Sequence, residues 1–301
     1  MYFLAEDEKR FVLRRLIPQA RQTDIAAELR GWNWHQPPLS PIYDARLALY
    51  EIAGAYCRTG RDVYLRRVLG VKPPPNHLMA EGIALHAALA HLILSVKRIL
   101  YGESPRELQR LAEPDSSFLG QLSLPTAIAE NAREKIAILW DFEYHRIVVR
   151  VQEILARQPY IGPDALVALA VPVTVEQKLD GAFLGLSSHL SADAFIFSEP
   201  MLVDLKFGER QDFDRMTTTG YALVMESLYE FPINLGCVVH VKFKDGRLLV
   251  DRDFHLIDDE LRQWFIEARD EKMRIVSEEI DPGKPDECYA HCVYCPTCHP
   301  K

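Results

Sequence analysis

Asp204 and Lys206 stand two positions apart in the run MLVDLKFG. An acid and an amine at that spacing suit phosphodiester hydrolysis: carboxylates hold Mg2+ or Mn2+ on a phosphate, and a neighbouring Lys helps activate water or offsets developing charge. Strand periodicity is two, so a strand puts both side chains on one face. The run is otherwise apolar, and two charges on a buried strand are costly unless paired or metal-bound. The alternative is a structural Asp204–Lys206 pair at a sheet edge. Three other acid-x-Lys matches occur. Asp7-Glu8-Lys9 and Asp270-Glu271-Lys272 lie in charged helical stretches and read as solvated faces. Glu176-Gln177-Lys178 follows Pro163-Asp164 and imitates the same signature.

Asp193 sits in a second apolar run, SADAFIF, and an antiparallel hairpin turning at Ser198–Pro200 brings it near Asp204. His86 follows Gly82 by four residues; it is either a core histidine or a ligand suited to Mn2+ and unusual for Mg2+. Tyr221, early in a helix after Lys206, either stacks on a base or binds a phosphate, or is a half-buried aromatic.

A second group is made of sulfur. Cys288, Cys292, Cys295 and Cys298 fall within eleven residues, too compressed for a zinc ribbon of two separated pairs. Cys292-x2-Cys295-x2-Cys298 reads as the start of a four-iron ferredoxin run, with Cys288 or the distant Cys57 as fourth ligand. A zinc knuckle using His291 or His299 is the alternative. Cys237, in LGCVVHVKF, reads as core filler. Arg58, Arg61, Arg66, Arg67 and Lys72 follow Cys57 closely and form a candidate basic rim.

The elements that must position these groups are legible in outline. Residues 2–30 read as helical with a break at Pro18, and 42–58 as helical. Residues 77–101 form an apolar buried helix, and 126–158 one long helix or two. Strands are expected at 167–179, 189–197, 201–207, 235–243 and 247–255, the last two joined at Asp245–Gly246. Helices are expected at 212–230 and 258–277. The layout is α/β with a mixed central sheet flanked by helices. It divides into an N-terminal helical region (1–75), a core (76–257) and a terminal helix with a cysteine tail (258–301).

With 301 residues the chain can bury a sizeable core, and a formal net charge of −8 excludes a histone-like, charge-driven DNA binder. No apolar run is read as long enough to cross a bilayer, and the start MYFLAEDEKR is charged within six residues. The expected location is the cytoplasm, where cysteines read first as metal or cluster ligands.

In sequence order these pieces are Tyr56-Cys57-Arg58-Thr59-Gly60-Arg61, Gly82-x3-His86, Asp193, Asp204-Leu205-Lys206-Phe207-Gly208, Tyr221 and the terminal cysteines. The order resembles the CRISPR-associated RecB-like exonucleases of the spacer-acquisition module, in particular the longer archaeal subfamily found with type I-A systems. The resemblance implies a restriction-endonuclease-like, PD-(D/E)xK core and a role in antiviral defence. It implies a divalent metal, Mn2+ or Mg2+, held by His86, Asp193, Asp204 and the Leu205 carbonyl, with Lys206 catalytic. It further implies a 4Fe–4S cluster with one early and three late ligands. The family's spacing fits Cys288-x3-Cys292-x5-Cys298, so with Cys57 these four are the expected ligands and Cys295 is spare. Implied partners are DNA, touched by Tyr221, Arg58 and Arg61, together with CRISPR integrase proteins and other acquisition-module proteins, and no membrane. Thr217 stands where the family usually carries Gln, which leaves a catalytically weak DNA-binding scaffold as the alternative.

Overall fold

The computed structural model describes residues 1–114 and 126–300. The chain opens with helices α1 (Glu6–Phe11) and α2 (Ile17–Gln22), joined by a π-helical turn. Next come α3 (Leu49–Ala53), α4 (Arg61–Arg67), α5 (His77–Gly102), α6 (Thr126–Arg157) and α7 (Pro163–Ala170). Strands β1 (Thr174–Leu179), β2 (Leu190–Ile196) and β3 (Met201–Phe207) follow. Helix α8 (Arg215–Tyr229), strands β4 (Leu235–Lys244) and β5 (Arg247–Leu256), α9 (Asp259–Ser277) and α10 (Cys295–Cys298) complete it.

The five strands lie in sequence order in one sheet, and only β3 and β4 are parallel. A parallel pair needs a crossover, and α8 supplies it. This is the expected α/β architecture with a mixed sheet flanked by helices. The β4–β5 hairpin turns at Asp245 and Gly246, whose φ angles of 51° and 69° are those of a type I′ turn.

The sheet separates two apolar cores. One face packs Val203, Leu205, Cys237, Val239 and Val241 against α5, α6 and α7, with residues 1–4 filling the same layer. The other face packs Leu202 and Phe195 against α3, α8 and α9. Both cores draw on residues from more than one of the three segments read from the sequence.

Helix α5 begins at Asn76, whose carboxamide accepts the Met79 amide at 2.9 Å, a regular N-cap. By length and apolar composition α5 could cross a membrane, which the sequence reading discounted; just over half of its most apolar stretch is buried within the protein.

Three expected elements differ. Of residues 2–30, helix runs from Glu6 to Gln22 without a break at Pro18, which sits in the first turn of α2, and only a short 3-10 turn, Ala27–Leu29, follows. Only Leu49–Ala53 of the 42–58 stretch is helical. Residues 163–170, whose last four were assigned to a strand, form α7, because Pro163 and Asp164 sit in a helical first turn and the Ala/Leu-rich run favours helix. The strand is Thr174–Leu179 alone.

Candidate active site

Strands β2 and β3 pair from Ile196↔Met201 to Ala194↔Val203, and the ladder stops there. Beyond it the Asp193 carboxylate fills the fork, accepting the Leu205 amide at 2.9 Å. This fixes the Asp204–Leu205 peptide and satisfies an amide that would otherwise lose its strand partner. From α5, His86 Nδ1 lies 3.4 Å from the same Asp193 oxygen. The His86 ring stands edge-on to Phe207, 5.2 Å between centroids. Gly82, one turn earlier, has open space where a Cβ would stand, so the helix leaves this approach clear.

Asp204 and Lys206 share a face of β3, with Lys206 Nζ 3.0 Å from Asp204 Oδ2 and 3.4 Å from Thr217 Oγ1 on α8. Burial disfavours the Lys206 ammonium, yet Asp204 and Asp193 outweigh it and lift its pKa above the ordinary value. Burial raises the Asp204 pKa, and with the charge of Asp193 it prevails over Lys206 and His86 to reach about 6. Tyr221 donates its hydroxyl to the Ser191 carbonyl at 2.6 Å, tying α8 to β2 beside Asp193.

The fit of this site to a cation can be read from its polar atoms. His86 Nδ1 and Asp204 Oδ2 are both buried without a hydrogen-bond partner of good geometry. Unpaired polar atoms of this kind cost about 1–3 kcal/mol each. Among the described residues no three His, Cys, Asp or Glu side chains already stand at ligating positions. His86, Asp193 and Asp204 are nevertheless gathered at the fork, and the donor chemistry, one imidazole and two carboxylates, suits Mn2+.

Two further polar neighbours stand here: His240, which carries no sequence signal, and Glu176, which belongs to the Glu176-Gln177-Lys178 match. His240 pairs in register with Lys206 on β4, is buried, and has neither ring nitrogen hydrogen-bonded; Asp214 is 3.8 Å away. Glu176 stands across β1 from Asp193 with φ at 52° and accepts the Ser191 hydroxyl at 2.7 Å. Its partner in the Glu-x-Lys match, Lys178, donates to the Ser191 hydroxyl at 3.1 Å and lies 3.5 Å from Glu176. Its carboxylate, together with burial and the charges of Asp193 and Asp204, still raises the Tyr221 pKa.

The cysteines gather as well. Cys57, Cys288, Cys292 and Cys298 line one hollow with about 260 Å³ of empty space, its open mouth included. Tyr56, Asp62, Tyr289 and Tyr294 complete the lining, and Cys295 is absent from it. Asp62 Oδ1 is buried there without a partner. Burial, and after it the neighbouring Cys295, push the Cys288 thiol up to about 12. A cation among the sulfurs reverses that penalty.

The tail is fastened to the segment around α4. Arg61 makes a bidentate pair with Asp281, Thr59 donates to Gly283 O at 2.8 Å, and Asn76 donates to His291 O at 2.8 Å. Of the expected basic rim, Arg61 is thus engaged internally, as are Arg66 with Tyr294 and Tyr50, and Arg67 with Glu51. Arg58 and Lys72 are exposed. Cys237 is the expected core filler, buried in the sheet.

The family model of the CRISPR-associated exonuclease Csa1 matches residues 1–301. A protein of that name from Thermoproteus tenax is 32% identical over 291 residues, covering 95% of this chain and 97% of its own length. Another, from Saccharolobus solfataricus, is 29% identical over 279 residues, covering 92% and 93%. On a match that spans its whole length and a relative above 30% identity, the chain belongs to the Csa1 family of CRISPR-associated exonucleases.

Proposed function

We propose that the chain is a divalent-metal-dependent DNA exonuclease with a restriction-endonuclease-like, RecB-like core, trimming single-stranded DNA ends during CRISPR spacer acquisition. The observation that carries this reading is the fork between β2 and β3. There an imidazole, two carboxylates and a lysine converge: His86 lies 3.4 Å from Asp193, Lys206 lies 3.0 Å from Asp204, and Asp193 holds the Leu205 amide.

His86, Asp193 and Asp204 would hold Mn2+ or Mg2+, with the Leu205 carbonyl assisting. The cation supplies Lewis-acid activation of the phosphodiester and of water. Lys206, kept protonated beside Asp204, stabilises the charge that grows on the phosphate. It therefore acts as a charge stabiliser rather than as a base. Thr217 holds the ammonium from the α8 side, and Tyr221 keeps β2 and Asp193 in place.

The Cys57, Cys288, Cys292 and Cys298 hollow would carry an iron–sulfur cluster of the 4Fe–4S type, joining the tail to α4 as a structural cross-link. Four thiols around one hollow support it over a zinc knuckle, because neither His291 nor His299 lines that space. With a CRISPR role the expected location is the cytoplasm, and the expected partners are DNA and the integrase proteins of the acquisition module.

The test is a cleavage assay with Mn2+ on anaerobically prepared protein, with iron and sulfide analysed in parallel. Asp204→Ala and Lys206→Ala are expected to be inactive yet folded. Cleavage by both variants at the wild-type rate defeats the assignment. The scaffold alternative, favoured by Thr217 in place of Gln, predicts binding of DNA without cleavage by the wild-type chain.

A further inference from the structure

Five rings, all exposed or half-exposed, form a file beside the site. Phe213 meets Tyr56 at 4.8 Å between centroids, and Tyr56 meets Tyr289 at 4.9 Å. Tyr289 meets His291 at 5.8 Å, and His291 meets His77 at 6.5 Å. Both ends rest on elements of the active site. Phe213 directly precedes Asp214 and α8, which carries Thr217, and His77 opens α5, which carries His86. Tyr56 lies within electrostatic reach of Asp214, Lys206 and Asp204.

Successive ring planes are turned by 83°, 48°, 72° and 89°, so the contacts are edge-on or tilted and no two neighbours lie in a parallel stack. Tyr56 is 47% exposed and Tyr289 38%. On α5, exposed Met79 and Ile83 and the open position at Gly82 precede His86 by seven, three and four residues, spacings that put them on its side of the helix. The placement is fixed, because Asn76 both caps α5 and donates to the His291 carbonyl.

Shielding of the cysteine hollow does not account for the file. Tyr56 and Tyr289 line that hollow, but Phe213, His291 and His77 do not. Charge does not account for a DNA surface either: the chain is acidic, and three of the five basic residues after Cys57 are engaged internally. Stacking is the interaction left to hold a strand. It suits unpaired bases of any identity, because every base has a π-face and a duplex keeps those faces covered.

Resting on the nuclease reading above, we propose that Phe213, Tyr56, Tyr289, His291 and His77 form a base-stacking rim that receives single-stranded nucleic acid and leads it along α5 to the catalytic fork.

The test is fluorescence anisotropy on the full chain in EDTA, with a labelled DNA strand of about 20 nucleotides and its duplex as probes. Tyr289→Ala, Tyr289→Leu and His291→Ala are each expected to weaken single-strand binding about 5- to 20-fold, with Tyr289→Phe close to wild type. Duplex binding is expected to stay within about 2-fold, and the slope of log Kd against log salt to stay unchanged, because no phosphate contact is lost. Unchanged single-strand binding overturns the proposal, as does equal loss on the duplex. So does a Tyr289→Leu variant that binds like wild type while Tyr289→Ala is weak, which marks a packing role. His291→Ala lies outside the hollow and keeps the test decisive where Tyr289 variants fail to fold. If Asp204→Ala and Lys206→Ala both cleave at the wild-type rate, the assignment of the fork as the active site fails whatever the rim does; if they are inactive and the rim variants bind normally, only the rim fails.

Discussion

The two ends of α8 bury charge in opposite ways. Near its C-terminus Glu226 is wholly enclosed, and every oxygen is used: Arg262 grips both at 2.8 and 2.9 Å, Arg30 adds a third contact, and the amides of Gly31 and Ile233 complete the shell. Gly31 must be glycine there, because a Cβ would stand 2.1 Å from the Leu223 carbonyl. Near the N-terminus, Thr217 meets only Lys206, whose ammonium is shared with Asp204, and the hydrogen-bond shell is sparse. A closed network specifies and rigidifies a core. A sparse one leaves charged groups free to engage a ligand. The contrast separates architecture from chemistry without reference to any motif.

The largest expected effect breaks the open end. Asp204→Ala and Lys206→Ala should each lower cleavage on the order of 10²–10³-fold or more. Their melting temperatures should stay within a few degrees of wild type; a collapse of the fold in either would show the pair to be structural. Glu226→Ala should do the reverse, costing about 3–5 kcal/mol in denaturant unfolding because it strands two buried guanidinium groups. A loss below 1 kcal/mol would remove the distinction between the ends.

Between them, Thr218 Oγ1 meets His255 Nε2 at 2.8 Å, a satisfied pair directly beside Thr217. Burial lowers the His255 pKa to about 4, from 6.5. Depressed in the folded state, this group contributes stability above pH 6.5 that is lost as pH falls toward 4. The total is on the order of 3 kcal/mol. Asp204, raised to about 6, works in the opposite sense, its burial cost growing as pH rises from 3.8. The difference between wild type and His255→Gln in unfolding free energy at pH 7 and pH 5 isolates the histidine, and equal pH slopes would refute its buried neutral state. The smallest effect belongs to Thr217→Ala, expected to reduce cleavage within about 10-fold, in keeping with one lost hydrogen bond to a charged group. A pH–rate profile and kcat should move while substrate Kd does not.

The strand that carries Asp204 and Lys206 was readable residue for residue: β3 is Met201–Phe207 as its apolar run suggests, and the Asp245–Gly246 turn sets β4 against β5. Asp193 beside Leu205 followed from the hairpin between β2 and β3. His86 did not, because helical periodicity says which residues share a face and not which strand that face meets. Long-range pairing was equally invisible. Arg61, Arg66 and Arg67 looked like a free basic rim until the tail closed on them. Lys272, read as a solvated charge, is buried with its ammonium on the carbonyls of Glu51, Ile52 and Gly54, where it caps the C-terminal end of α3. Its neighbours in sequence gave no sign of that, since the partners lie some 220 residues away.

The hollow shared by Cys57 and the three late cysteines also imposes an order in time. Roughly 230 residues separate Cys57 from Cys288, so at ribosomal speeds of about 5–20 residues per second the first thiol waits about 10–50 s for the others. For most of that interval it is the only thiol on the nascent chain, Cys237 arriving about 50 residues ahead of the rest. Cys288, Cys292 and Cys298 emerge almost together, so the hollow closes as a single late event, and a pause or truncation upstream of it leaves the segment around α4 without the tail that fastens to it.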